Sequence, residues 1–414
     1  MMKFTSKFVM DRRQFLAATG ASVGSLAMPG ILRAQNSEVV LSALIALTGP
    51  NAAWGQRTWR GFQLACDIVN ERGGIQSMGG AKIKYIVADT ESKPELAPAQ
   101  AERLIREGAI AMIGTNQSPA SIVATQVTER AGVPFISSTD ADPLLTGRGF
   151  KNVFRTMATV DRYVDDLLAS IRAAANASGD NPSRLAILSE NTITGQSSVK
   201  FAQELAPKHG FEVVEAANYD ATRTQNFVPY IAKYKGQGVD VLIGHNRPND
   251  AILITRTMDE LAFSPKAYGG IIGGHVSAEY ISTLGAAAEN VLIAGAWSPD
   301  LKIEGLAEIA ERYKEQYNED MDSTVSGGVI SLAILWAGLE AAGEGDSGKL
   351  RDAITQLDMN SGQNLLIQPG GAKFDERGEN VKATGIVLQI RDGKQVTVYP
   401  EDVAAAQMVY PKSA

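Results

Sequence analysis

A single cysteine, Cys66, stands in the whole chain, so no internal disulfide can form in any compartment. It falls in a helical pattern and reads as a small core residue. Histidine is nearly as scarce. His209, His245 and His275 lie far apart and lack metal-ligand spacing, so no metal centre is expected. The chain has no phosphate loop of the G-x-x-x-x-G-K type, no dinucleotide fingerprint and no G-x-S-x-G nucleophile elbow. No carboxylate pair stands out from the solvated background. These absences leave no expected catalytic residue and no expected cofactor. Basic residues are also in the minority, 39 Lys and Arg against 46 Asp and Glu. Nucleic acid is thereby excluded as a partner, since phosphate binding needs a basic footprint. Adsorption to an anionic membrane surface is disfavoured for the same reason.

Long apolar runs are missing too. A membrane span needs ~20 predominantly apolar residues. The one candidate near the start, AATGASVGSLAMPGIL, is shorter and rich in Gly, Ser, Thr and Ala. It follows Asp11-Arg12-Arg13-Gln14-Phe15-Leu16 and ends near Arg33-Ala34-Gln35. Charged region, short apolar region and small residue make the layout of a secretory leader. The Arg-Arg-x-Phe-Leu core resembles the twin-arginine signal, which exports folded proteins across a bacterial inner membrane. Residues 1–34 are therefore expected to be a twin-arginine-type signal peptide cleaved near Ala34, which places the mature chain in the periplasm. Without the leader the remainder is more acidic, because Lys3, Lys7, Arg12, Arg13 and Arg33 leave with only Asp11. The mature chain is expected to have no membrane insertion of its own.

What is present is a repeated alternation of short apolar runs with amphipathic ones. Val39 to Leu47 reads as a strand buried on both faces. Trp59 to Asn70 has helical spacing and stops at Arg72-Gly73-Gly74. Strands over 83–88, 110–113 and 134–137 alternate with helices over 99–107 and 120–130. A second round begins after Phe154-Arg155-Thr156, with strands over 185–188, 212–215, 239–243 and 291–294. Its helices cover 197–209, 227–235 and 251–261. Helices dominate 305–356, and 385–399 reads as a hairpin about Arg391-Asp392-Gly393. The rhythm predicts an α/β protein with parallel sheets and helices on both faces. The two halves look related in architecture rather than in sequence.

In such sheets ligands gather beyond the carboxyl ends of strands. Four strand-end loops are unusual. Thr48 to Gly55 carries Trp54, an indole that either covers a ligand or docks a helix. Gly114-Thr115-Asn116-Gln117-Ser118-Pro119 places Ser118 as an N-cap before proline; the same geometry offers a hydroxyl and free N–H groups to a carboxylate. Ser137 to Pro143 is polar and contains Asp140 and Asp142. Gly244-His245-Asn246-Arg247-Pro248 is the fourth. His245 and His275 both follow strands, where they could line a site.

These loops also carry a resemblance. "LTGPNAAWGQRTWRGFQLACDIVNERGGI", "VADTESKPELAPAQAERLI", "AMIGTNQSPAS", "AGVPFISSTDADPLLT" and "FDERGEN" occur in the order and spacing of a known family. The chain resembles the solute-binding proteins of branched-chain amino acid (leucine/isoleucine/valine-type) ABC transporters. The resemblance implies the type I periplasmic binding protein fold, two Rossmann-like lobes joined by a three-crossover hinge. It implies an N-terminal lobe of residues 36–157 plus 299–374 and a C-terminal lobe of 158–298 plus 375–414. It implies a monomer that closes on a small-molecule ligand and delivers it to an ABC permease in the inner membrane.

Carried over position by position, the family's pocket falls on Trp54, Gln117, Ser118, Thr139 and Asp140 in one lobe. A second carboxylate-binding hydroxyl falls on Ala141, which offers only its N–H. In the other lobe, two aromatic positions fall near Thr194 and Asn246. The acid that pairs with a ligand's ammonium falls near Ile272, where no carboxylate stands. A buried ammonium without a charged partner costs several kcal/mol. Either Asp140 or Asp142 supplies the acid, or the ligand lacks an ammonium and is an aromatic or other small acid or amide. A periplasmic sensor subunit of the same fold, or an amidase or hydrolase, are the competing functions.

Overall fold

The computed structural model describes residues 38–49, 51–140 and 142–412. The leader and its cleavage position lie outside the described residues.

The first round of the pattern forms β1 (Val39–Ile45), α1 (Ala52–Glu71), β2 (Ile83–Asp89), α2 (Ala97–Arg106), β3 (Ala111–Thr115), α3 (Ser118–Ala131), β4 (Phe135–Ser137) and β5 (Val153–Arg155). The second forms α4 (Val160–Ala177), β6 (Arg184–Glu190), α5 (Ile193–Leu205), β7 (Glu212–Tyr219), α6 (Val228–Gly236), β8 (Val241–Gly244), α7 (Pro248–Glu260), β9 (Ala267–Ile271), α8 (Ala278–Leu284) and β10 (Leu292–Gly295). Then come α9 (Leu306–Tyr317), α10 (Ser323–Ala342), α11 (Ser347–Thr355), β11 (Asp358–Met359), β12 (Ala372–Lys373), β13 (Ile386–Arg391) and β14 (Lys394–Tyr399). The sequence pattern had not marked α4, β9 or α8. In α4 the buried positions (Tyr163, Val164, Leu167, Leu168, Ile171) recur at helical spacing, but Asp and Arg between them dilute the signal.

Two lobes result. One sheet has the order β2-β1-β3-β4-β5, and the other has β7-β6-β8-β9-β10 followed by the β13–β14 hairpin. In these two sheets all pairings are parallel except those of β13, while β11 and β12 form a small antiparallel pair of their own. Apart from the hairpin, the two sheets therefore repeat one topology. The helix α10 is the longest apolar segment and is mostly buried. It crosses α1 closely at two glycines. A Cβ on Gly61 would stand 2.1 Å from Val325 O, and one on Gly328 would stand 2.2 Å from Thr58 O. Cys66, on the same helix α1, is fully buried, and burial pushes its thiol up.

The chain passes between the lobes at 156–159, 296–305 and 374–385. The first two passages leave from the carboxyl ends of β5 and β10. Both sheets thus turn those ends, and the loops that follow them, toward the hinge. Trp297 is buried in the second passage and donates its Nε1–H to Ile367 O at 3.0 Å.

Candidate functional site

Lobe one builds its side of the cleft on β1, β3 and β4. Helix α1 begins at Ala52, earlier than the spacing suggested, so Trp54 sits in its first turn. The indole does not dock the helix. It is 57% exposed, unusual for so large an apolar group. The cap of α3 also differs from expectation by one residue. Gln117 is the N-cap and Ser118 the first helical residue, with Pro119 second. Proline has no N–H to offer a capping side chain, and Gln117 makes no capping bond. Ser118 is half-buried, and its hydroxyl has no partner among the described residues. The buried Nε2 of Gln117 is unpartnered as well. Thr139 is half-buried on the next loop, its methyl group lying toward α10 at Gly327.

Asp140 does not face the cleft. Its side chain is buried and accepts hydrogen bonds from Ser121 Oγ at 2.6 Å and Ser137 Oγ at 3.0 Å. Burial pushes its pKa up to about 6, against the opposing effect of those hydroxyls and Arg155. It braces the loop from beneath. Asp142 is committed to the backbone N–H of Leu144 at 2.8 Å. Ala141 lies outside the described residues.

Lobe two repeats this construction. A Cβ on Gly114, which precedes the last residue of β3, would stand 2.1 Å from Leu44 O; one on Gly244, which closes β8, would stand 2.0 Å from Leu188 O. A Cβ on Gly55 would stand 1.9 Å from Ala46 O, and one on Gly195 the same 1.9 Å from Glu190 O. Only glycine allows helix and strand end to approach this closely. The matched contacts align Ile113-Gly114-Thr115-Asn116-Gln117 with Ile243-Gly244-His245-Asn246-Arg247, and Trp54-Gly55-Gln56 with Thr194-Gly195-Gln196. The halves are therefore related in short stretches of sequence, contrary to expectation. The repeats Ile-Gly-x-Asn and Gly-Gln carried that signal.

The alignment makes Thr194 the counterpart of Trp54. Thr194 is half-buried in the first turn of α5, whose N-cap Thr192 accepts from Gly195 N. Its neighbour Ile193 is 62% exposed. Asn246 turns inward, donating to Leu188 O at 2.9 Å and Tyr219 Oη at 3.3 Å, because burial at that position demands partners. Residues flanking it take the cleft side. Arg247 Nε donates to Glu190 Oε2 at 2.8 Å, and His245 Nε2 lies 3.5 Å from Glu190 Oε1. His245 Nδ1 meets Ile271 O at 2.9 Å. The hydrogen bond from His245, helped by Arg247, holds the Glu190 carboxyl below its ordinary value although burial opposes this. Sequence reasoning had treated His245 as a possible liner and missed Glu190 entirely.

Ile272 is half-buried, packs on the lobe's core and has φ 47°, an uncommon backbone for a β-branched residue. No carboxylate takes its place among the described residues of that loop. His275 is fully buried beside Tyr268, whose hydroxyl lies 3.0 Å from Nε2, and burial lowers its pKa to about 3. It belongs to the core rather than the cleft. His209 ends the 3-10 turn after α5 and pairs with Asp165 at 2.7 Å.

Two concavities lie elsewhere. One of about 640 Å³ runs between α4 and the last residues of the chain, near Ala174, Tyr399 and Met408. Another of about 410 Å³ lies behind the hinge, near Met157, Phe201 and Val381. The second takes in the first turn of α4 at Val160 and Asp161; neither includes Trp54 or the start of α3, where the unpartnered donors stand.

Two α/β lobes of like topology, three passages between them and strand-end loops turned toward the hinge define the type I periplasmic binding fold. The chain belongs to the periplasmic binding protein family, whose sequence pattern matches residues 38–395. It is 30% identical over 408 residues to Leu/Ile/Val-binding protein homolog 8 of Brucella abortus, covering 95% of this chain and 98% of that one. Among solved structures it is similar to the branched-chain amino acid substrate-binding protein of Streptococcus pneumoniae in complex with isoleucine, with TM-score 0.69, 21% identity, and 91% and 100% of the two chains covered. It is also similar to a solute-binding protein of R. palustris in complex with benzoate, with TM-score 0.64, 19% identity, and 90% and 98% covered.

Proposed function

We propose that this chain captures a small carboxylate-bearing solute between its lobes in the periplasm and presents the closed form to an inner-membrane ABC permease. The observation that carries this reading is the pair of unpartnered donors at the start of α3, the Ser118 hydroxyl and Gln117 Nε2, on the same lobe as the exposed indole of Trp54. Donors at a helix N-terminus suit a carboxylate. Isoleucine and benzoate, the ligands in the two solved complexes, share that group and little else. Thr139 offers backbone beside it, and Thr194 with Ile272 closes from the other lobe. The ligand favours closure only by its excess affinity for the closed form, and the three passages supply the hinge. A twin-arginine-type leader cut near Ala34 delivers the chain as a monomer.

Native mass spectrometry of the mature protein tests the reading, with a thermal-shift screen of small acids and amino acids behind it. A ligand at 100 times its Kd adds about 2.7 kcal/mol to stability. Failure of every carboxylate in the screen to bind sinks the proposal. Capture of the ligand-loaded form by the permease tests delivery, and capture by a receptor kinase instead would make the chain a sensor subunit.

A further inference from the structure

The internal repeat lets the two walls of the cleft be compared position by position. Where lobe one has Ala46, Thr115 and Gln117, lobe two has Glu190, His245 and Arg247. The same fold is thus built once with neutral residues and once with a glutamate, a histidine and an arginine. Folding does not require the charges, and an ion pair whose arginine is half exposed is weak support for stability in any case. Glu190, the last residue of β6, is the one carboxylate at the end of β6, β8 or β9 or on the loops that follow them, among the described residues. It is engaged by Arg247 at 2.8 Å and faces His245 at 3.5 Å. A ligand's ammonium brought here would meet a guanidinium before it met a free carboxylate. Nearby Asp250 is held by the Tyr219 hydroxyl at 2.9 Å, and Asp140 and Asp142 are committed within lobe one. Arg247, by contrast, keeps 49% of its side chain exposed, with the guanidinium oriented from behind by Glu190. A guanidinium held on one edge leaves its other N–H groups for an incoming oxygen.

We propose that the ligand is an organic carboxylate without an ammonium group, whose second oxygen-bearing end is received by Arg247 on the wall of lobe two. Glu190 positions that guanidinium, and His245 completes the wall. The inference rests on the carboxylate end being held at Ser118 as proposed above, and it adds the opposite end and the chemical class. Carboxylate at one end and carboxylate, keto or hydroxyl oxygen at the other is the pattern this cleft fits.

Matched pairs of probes test it on the mature chain by calorimetry: leucine against 4-methyl-2-oxopentanoate, and glutamate against 2-oxoglutarate. Each pair differs only at C2, where a keto oxygen replaces the ammonium and a hydrogen. The oxo acids are expected to bind at least about tenfold tighter than their amino counterparts, with 2-oxoglutarate the tightest. Arg247→Gln is expected to weaken 2-oxoglutarate by about tenfold or more and 4-methyl-2-oxopentanoate by about twofold or less, and Arg247→Lys to recover part of the loss. Tighter binding of either amino acid than of its oxo acid overturns the inference while leaving the proposed function standing. Equal loss for both oxo acids in Arg247→Gln also overturns it. If none of the four binds, and benzoate does not either, the functional reading falls with it.

Discussion

Arg155 and Glu379 meet where two of the passages between the lobes touch, Nε 3.2 Å from Oε2, with the arginine side chain fully buried. The contact is an ion pair without an aligned Nε–H bond. The guanidinium donates instead to Asp142 O at 2.8 Å, Thr146 Oγ1 at 2.9 Å and Asp140 O at 3.4 Å, and Thr146 in turn bonds Glu379. The loop that carries Thr139 is thereby fastened to the hinge. Removing one partner strands a buried charge. Glu379→Ala is expected to lower stability by about 3 kcal/mol. Urea denaturation reads this directly, and an unchanged midpoint would refute it.

Asp140 predicts a pH dependence. Its folded pKa of about 6 stands above the ordinary 3.8, so the folded state holds the extra proton between those values. Stability from this group is complete below about pH 4 and is lost as pH rises through about 6. Asp166, buried and also raised to about 6, acts in the same sense. Asp140 alone is expected to add about 1–1.5 kcal/mol to the unfolding free energy between pH 7.5 and pH 5, while buried His275, whose pKa is lowered to about 3, pulls the other way by a similar amount. Asp140→Asn keeps an acceptor for Ser121 and Ser137. It should flatten part of that slope and stabilise the protein at pH 7.5. The same pH slope in the parent and in Asp140→Asn, measured by chemical denaturation, would contradict the assignment.

Much of this was legible in the sequence, and the exceptions have physical causes. Alternation of apolar runs with helical spacing gave both sheets, because parallel strands buried on two faces stay apolar throughout. Trp54, Ser118 and Thr139 stand just beyond the carboxyl ends of β1, β3 and β4, where ligands gather in open α/β sheets. Asp140 and Asn246 have the right residue type in the right loop, yet point inward. Side-chain direction at a loop depends on which neighbour offers a partner, here Ser121 for one and Leu188 O for the other. Glu190 ends an apolar strand and finds its partners 55 and 57 residues further on, at His245 and Arg247, a distance no local pattern spans.

The donors at α3 make a sharper claim. Ser118→Ala is expected to weaken carboxylate binding by about tenfold while shifting the melting temperature of the empty protein little, since the hydroxyl bonds nothing among the described residues. Trp54→Ala should cost a similar factor, with Trp54→Phe intermediate, if the indole covers the ligand. Isothermal titration with the best ligand separates the outcomes. Full affinity in both alanine variants would move the site elsewhere.

The crossing of α1 and α10 tolerates no side chain at its centre. Gly61→Ala drives a Cβ toward a backbone carbonyl that cannot rotate away. A loss of about 1–3 kcal/mol is expected, seen as a lower denaturation midpoint. Ala173→Gly, at an exposed position inside α4, serves as a comparison for helix propensity alone, at about 1 kcal/mol. Equal losses in the two variants would show that the close crossing carries no special cost.

That crossing also bears on how the chain reaches its compartment. Ser323–Ala342 is long and apolar enough to pass for a membrane span, yet 78% of its most apolar stretch is covered once lobe one has formed. Threaded outward unfolded, the segment would meet an export channel as a stop signal. Under the proposed twin-arginine export the polypeptide would hide this segment against α1 before it encounters lipid.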